Sequence, residues 1–600
     1  MKRLGRILAI ICLVVPMLFG MMFLSPNLAH NATQTTQNGG GGGNLLDSPK
    51  TGGNGDFDGE ENDDKKEGDD TSWTTPTFKT FNDYFVDFDI SKDTITDKDY
   101  TGNGSEHNPF VVHSTRGFLY LLNYDVSKIS LNNRVLELAC DIILNDETFD
   151  ENGNPIGGDG VVYTFTKRGN CNNAILDGKN FHIKGLYYND SKGYAGGMFN
   201  CDSFSIYEIR NFVVEDFYQY GAGAIFLFGR NIQYIDNCIV KNGNIGVEYD
   251  NASAFSYNSK KISNCTNYAN IIGTNYICGF SLYPDGVIEN CTNYGTIKGG
   301  FRVSGFVVET KESLTIRNCV NYGSIIGIEK GTRKGVQIAG FIAVGWSYNA
   351  KIGFRIIDCA NYGKIYSPSF CGGIVAYSSG PFLIYNTHNF GHSGIDGKDY
   401  GVATFIGRVA SDGVNPTTKA KIINCTSFSK TGALFIGMVT REGTTTTDNV
   451  LEIENCTLIF EKTVQRPGLI TNWIGEGFSI KLKDCYIEVG GEQSSCALIN
   501  HANEGASFVV DNVYVKNKTN RSIINIYLWK IFDLEVNGLI IENDNAHKNS
   551  SRYYGEDFSG FYVDWKTGKI GIKSISGKGF YQSALTEEWL SKKGYTKFKL

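Results

Sequence analysis

The chain has 600 residues, a formal net charge of −7, 71 Gly, 33 Tyr and only 11 Pro. That length exceeds one ordinary globular core, which leaves several domains or one elongated repeat architecture, and the Gly- and Tyr-rich profile favours turn-rich all-β structure over helices. The charge is local: "NGDFDGEENDDKKEGDD" at 54–70 holds nine carboxylates against Lys65 and Lys66, so the remainder is neutral and offers nucleic acid no basic field.

Residues 1–32 read as an export signal: Lys2, Arg3 and Arg6 precede an apolar run from Ile7 to Leu24, then small residues around Ala29 and Ala32. The cleavage site is poorly formed and the apolar run is near spanning length, so an uncleaved N-terminal anchor stays open as the only membrane attachment. Residues 33–75 combine Gly runs with like-charged carboxylates and read as a disordered spacer.

Residues 76–160 are expected to form an N-terminal cap. Ser114 is a candidate helix N-cap ahead of Phe118, Leu119, Leu121 and Leu122, and "RVLELACDIIL" (134–144) alternates like a strand. In "DETFDENGNPIGGDG" (146–160), Asp150, Asn152 and Asn154 are spaced like a calcium loop. Pro155 stands where the turn Gly belongs and Val161 at the closing Glu position, so a plain loop is expected. "AILDGKNFHIKGLYYND" (174–190) predicts strand, turn at Asp177-Gly178, strand.

From 161 to 545 the chain repeats itself. "KISNCTNYANIIG" (261–273) returns as "VIENCTNYGTIKG" (287–299), "TIRNCVNYGSIIG" (315–327) and "RIIDCANYGKIYS" (355–367). The residue after the turn Asn marks each copy: Phe181, Phe212, Cys238, Cys265, Cys291, Cys319, Cys359, Thr387, Cys425, Cys456, Cys485, Val513 and Gly538. The commonest gaps are 26 to 28 residues, with two near 40 where loops are inserted. Short β-type runs such as "ICGFSL", "VSGFVV" and "IAGFIA" recur in phase, without a long amphipathic helix. A parallel β-solenoid of about thirteen coils follows, near 4.8 Å per coil and on the order of 60 Å long, with 546–600 as its C-terminal cap.

In such a solenoid like residues stack. Asn264, Asn290, Asn318, Asp358, Asn424 and Asn455 are expected to form a corner ladder, because Asn and Asp tolerate the left-handed backbone of a sharp corner; Asn267, Asn293, Asn321 and Asn361 would supplement it. A buried ladder would also hide the "N-C-T" triplets from glycosylation. Cys265, Cys291, Cys319, Cys359, Cys425 and Cys456 predict a column of buried thiols, since stacked Cβ vectors run parallel rather than converging, although disulfides in some coils stay open. Tyr268, Tyr294, Tyr322 and Tyr362 form a third column, either edge packing or a sugar-stacking strip, which exposure decides.

The segments "GNGSEHNPFVV", "GFLYLL", "VLELACDI", "AILDGKNFHIKGLYYND" and "GGMF", with the "N-C-x-N-Y-G" coils, resemble bacterial surface proteins of the GLUG-repeat type over about residues 98–540. The resemblance implies a right-handed parallel β-helix, export and a cell-surface or extracellular role such as adhesion, and brings no catalytic residues.

The same fold hosts polysaccharide lyases and hydrolases, which need converging carboxylates. Here the "DD" pairs lie only in the spacer. His388 and His392, with Asp396 and Asp399, are the nearest approach to a metal or catalytic cluster, in what reads as a turn-rich insertion. The sequence therefore points to a non-enzymatic surface protein with no cofactor, resident metal or catalytic residue assigned, whose partners are extracellular glycans or surface proteins. Its expected binding face is the long insertions 328–354 and 391–420. A polysaccharide-active enzyme on the same fold is the alternative.

Overall fold

The computed structural model describes residues 76–543, apart from short internal segments, and the strands Ile572–Ser576 and Phe580–Gln582. The signal and spacer readings fall outside these residues, as does most of 546–600. The two late strands pair in parallel with Phe532–Asn543 and so continue the ladder.

Strands of successive repeats pair in parallel and in register. Ile245, Ile271, Ile297, Ile325 and Ile365 stand in one column, each the Cα partner of the next. The result is a parallel β-solenoid of about 12 turns. Twelve of the thirteen sequence markers follow a left-handed Asn or Asp, from Asn180 to Asn512, and the turns number about 12 where about thirteen were expected.

The interior is a stack of side chains. Phe228, Phe255, Phe280, Phe306 and Phe341 lie face to face with centroids 4.6–5.6 Å apart, all fully buried. Each ring contributes about 2–3 kcal/mol of apolar burial. The glycine before each of the last three rings is needed for space: a Cβ on Gly279, Gly305 or Gly340 would sit 2.2–2.3 Å from the carbonyl oxygen of the next coil.

Asn264, Asn290, Asn318, Asp358, Asn424 and Asn455 have φ between 52° and 57°. Their side chains reach back one coil: Asn290 Nδ2 donates to Asn264 Oδ1 at 3.2 Å, and Asn455 Nδ2 to Asn424 Oδ1 at 2.6 Å. Contrary to expectation, Asn264 is exposed, because the left-handed corner turns its side chain outward. Burial therefore does not shield the "N-C-T" asparagines.

The buried ladder is the second one. Asn267, Asn293, Asn321, Asn361 and Asn389 have no exposed surface, and each Nδ2 donates to the Oδ1 of the next at 2.7–2.8 Å. This ladder donates forward along the chain while the corner ladder donates backward. Each inner amide also bonds the carbonyl two residues on, as from Asn321 to Gly323 at 3.0 Å, which fixes its orientation.

The cysteines fill the slot between the two ladders. Each thiol donates to the carbonyl two residues earlier: Cys265 to Ser263 at 3.0 Å, Cys319 to Arg317 at 3.1 Å, Cys425 to Ile423 at 3.2 Å. Thr387 does the same with its hydroxyl, to Tyr385 at 3.0 Å. Cys265, Cys291, Cys319, Cys359, Cys425 and Cys456 are buried and unpaired by disulfides. Burial holds the thiols of Cys265, Cys319 and Cys456 well above the ordinary thiol pKa.

The N-terminal end begins with the helix Phe81–Asp87, started by a Thr80/Asp83 capping box. The helix Thr115–Leu122 follows with Ser114 as N-cap, burying Phe118, Leu119, Leu121 and Leu122. Asp99 binds it by accepting from Ser114 Oγ and Arg116 Nε. Residues 146–160 form a small antiparallel hairpin, Thr148–Phe149 with Pro155–Ile156, closed by Asp150 accepting from the backbone of Asn152 and Asn154.

Candidate functional site

The tyrosine column is both stacked and exposed. Tyr268, Tyr294, Tyr322 and Tyr362 follow at centroid spacings of 4.6, 5.0 and 5.1 Å with planes within 11° of parallel, and Phe390 continues the stack. Each tyrosine is 38–47% exposed. The exposed part is ring edge and hydroxyl, because the faces are covered by neighbouring rings. A pyranose stacks on a face, and Tyr294, Tyr322 and Tyr362 each have a ring neighbour on both sides.

His388 and His392 lie on one coil, four positions apart. His388 lies in a strand between Ala360 and Thr426 of the adjacent coils and stacks on Phe390 at 5.8 Å. His392 lies beyond that strand, its carbonyl accepting from Ile365 N. Burial lowers the pKa of both. Asp396 and Asp399 lie outside the described residues. Among the described residues no group of three or more His, Cys, Asp or Glu side chains could hold a metal ion.

Several coil carboxylates are joined to cations, Asp177, Glu215 and Glu289 to ones from neighbouring turns and Glu309 to one of its own turn. Glu215 takes His182 Nδ1 at 2.5 Å, Lys184 Nζ at 3.0 Å and Lys241 Nζ at 2.5 Å. Asp177 takes Arg210 Nε at 2.9 Å, Glu289 takes Lys261 Nζ at 2.7 Å, and Glu309 takes Arg302 Nη1 at 2.6 Å. Burial alone would raise Glu215, but the bonds from His182, Lys241 and Lys184 bring its pKa down to about 2. Asp177 and Glu289 are lowered too. Glu147 in the N-terminal hairpin is the contrary case. It is buried, neither carboxylate oxygen has a hydrogen-bond partner, and burial, with Asp159 nearby, raises its pKa.

A hollow of about 1010 Å³ lies away from the segments that the sequence singled out for binding. It crosses six successive turns at one corner, lined by Asn132 and Asn133, Asn172 and Asn173, Ser205, then Asn231 and Gln233, Asn258 and Ser259, and finally Tyr283 to Asp285. Backbone bonds tie the rungs, as from Asn133 N to Asn172 O at 2.9 Å, Asn173 N to Ser205 O at 2.8 Å, and Asp285 N to Ser259 O at 2.8 Å. Asn231 and Asn258 are register partners. A smaller hollow of about 380 Å³ shares Asn132. The available signal was the run of Asn, Gln and Ser at one phase of the early coils, which resembles ordinary turn composition. The expected binding insertions behave otherwise. Within 328–354, Val336–Ala339 and Ile342–Gly345 are rungs of the solenoid, the first with a register shift at Gln337, while parts of both insertions fall outside the described residues.

No protein-family model and no curated protein matches the chain. Among solved structures, the crystal structure described as a putative immunoglobulin A1 protease from Bacteroides ovatus matches at 13% identity, over 68% of this chain and 86% of that one, with a TM-score of 0.24. At that score the likeness carries no argument about activity.

Proposed function

We propose that this chain is an exported surface protein of the GLUG-repeat type, whose solenoid binds extracellular glycans or surface proteins without catalysis. The observation that carries the reading is the state of the coil carboxylates. A glycosidase or lyase groove needs free acids, one of them with a raised pKa. On these coils Asp177, Glu215 and Glu289 are paired with cations across turns and drawn downward. What remains for a ligand is the open groove edged by Asn, Gln and Ser side chains, which suits holding rather than bond breaking. The N-terminal charged and apolar segment supports export, with any membrane attachment confined to it.

Incubation of the purified chain with insoluble polysaccharides and with whole bacterial and host cells tests the proposal. Retention without new reducing or unsaturated ends is expected. Turnover above background, or no retention on any surface, would overturn it.

A further inference from the structure

The groove from Asn132 to Asp285 carries chemistry that narrows the ligand. Its polar lining is mostly carboxamide: six asparagines and Gln233, with Ser205 and Ser259, against one cation, Lys260, and one anion, Asp285. A carboxamide presents a donor pair and an acceptor on one rigid plane, which matches the mixed donor and acceptor character of a sugar hydroxyl. Some of these amides bond along the groove, Asn173 to Asn133 at 2.9 Å and Gln233 to Ser205 at 2.9 Å. Two lining atoms, Asn172 Oδ1 and the hydroxyl of the buried Ser259, are enclosed without a hydrogen-bond partner. Buried polar atoms of this kind cost free energy unless something bonds them.

The spacing adds a second argument. The lining repeats once per turn, at about 4.8 Å, over roughly 24 Å from the first rung to the sixth. An extended pyranoside chain advances by nearly the same distance per sugar, so a chain lying along the axis meets an equivalent set of amides at each residue. An extended peptide fits less well. The rung backbone groups already bond one another, which leaves no free strand edge for augmentation.

We propose that this groove binds a neutral, extended oligosaccharide parallel to the solenoid axis, about one sugar per turn. The inference rests on the binding role proposed above. Calorimetric titration of the full chain with cello-, manno-, xylo- and laminari-oligosaccharides, from disaccharide to octasaccharide, tests it. Oligogalacturonides and an uncharged extended peptide serve as the competing ligands. At least one neutral series should bind with affinity that rises with length and levels off near the hexasaccharide. The N231A/N258A double variant should weaken that binding roughly tenfold or more, as should Gln233→Glu, while Tyr294→Ala on the exposed tyrosine column should not. An unchanged thermal transition for Q233E separates lost recognition from lost folding. Tighter binding of oligogalacturonides or of the peptide, or binding without length dependence, overturns the inference. Retention on polysaccharide or cells that the groove variants leave unchanged also overturns it, and leaves the broader binding role standing. Absence of retention of the native chain on every surface removes both.

Discussion

The side-chain amide of Asn267 donates to that of Asn293 at 2.8 Å, joining two successive turns through groups with no exposed surface. Removing one member leaves a buried donor on one side and a buried acceptor on the other. Asn293→Ala should therefore destabilise the solenoid by about 3 kcal/mol. Asn264→Gly at the exposed left-handed corner should be nearly neutral, since Gly adopts that backbone freely. Urea titration followed by hydrogen exchange of the flanking turns measures both, and equal costs would contradict the assignment of the inner ladder as the buried one.

The "N-Y-G" glycine is the steric counterpart of this ladder. A Cβ on Gly323 would lie 2.0 Å from Gly295 O and 2.6 Å from Asn293 Nδ2. Gly323→Ala should cost about 1–3 kcal/mol as overpacking against rigid backbone, read as a lowered unfolding midpoint.

The cysteine slot predicts a reactivity pattern. Ellman's reagent should find almost no thiol among the stacked cysteines of the native chain and all of them after denaturation, because they are buried and unpaired by disulfides. Cys359→Thr should be tolerated within about 1 kcal/mol, as Thr387 makes the equivalent hydroxyl bond one turn later. Fast labelling of several native thiols would contradict this packing.

Two carboxyls should give opposite pH signatures. Glu215 has a folded pKa near 2 against an ordinary 4.5, so its contribution to stability is present above about pH 4.5 and is lost as pH falls toward 2. Glu147 is raised above its ordinary 4.5, so the folded state holds its proton more tightly than the unfolded state and stability falls as pH climbs above that value. Glu147→Gln should thus raise the unfolding midpoint at pH 7 and leave it unchanged at pH 4. Glu215→Gln should lower the midpoint at pH 7 and matter little at pH 2.

The tyrosine column is assigned to packing. Tyr294→Ala removes two ring contacts, at 4.6 and 5.0 Å, and should cost about 1–3 kcal/mol without altering ligand retention. Loss of retention at unchanged stability would return the column to a binding role.

Periodicity, the corner asparagines and the Cys/Thr slot were legible in the sequence because a solenoid places like residues over one another, and local backbone preference is enough to mark a left-handed corner. The helix at Ser114 was legible from its cap and apolar spacing, whereas the helix Phe81–Asp87 passed unnoticed although Thr80 and Asp83 carry a capping box at the right interval. Which asparagine of "N-C-T-N" is buried could not be read in this way. Asn264 and Asn267 are alike in chemistry, and only the direction in which the chain leaves the corner sends one outward and the other inward.

Sequence by itself determined a repeated β coil, its corners and the residues that stack. Tertiary structure decided the groove, since Asn132 and Asp285 are 153 positions apart along the chain and line one hollow only because six turns stack in register. It also decided the fate of the charges, because Glu215 becomes a closed ion cluster only when Lys184 and Lys241 arrive from the turns on either side. Stacking distance sets both outcomes: at about 4.8 Å per turn, side chains far apart in sequence become hydrogen-bonding neighbours.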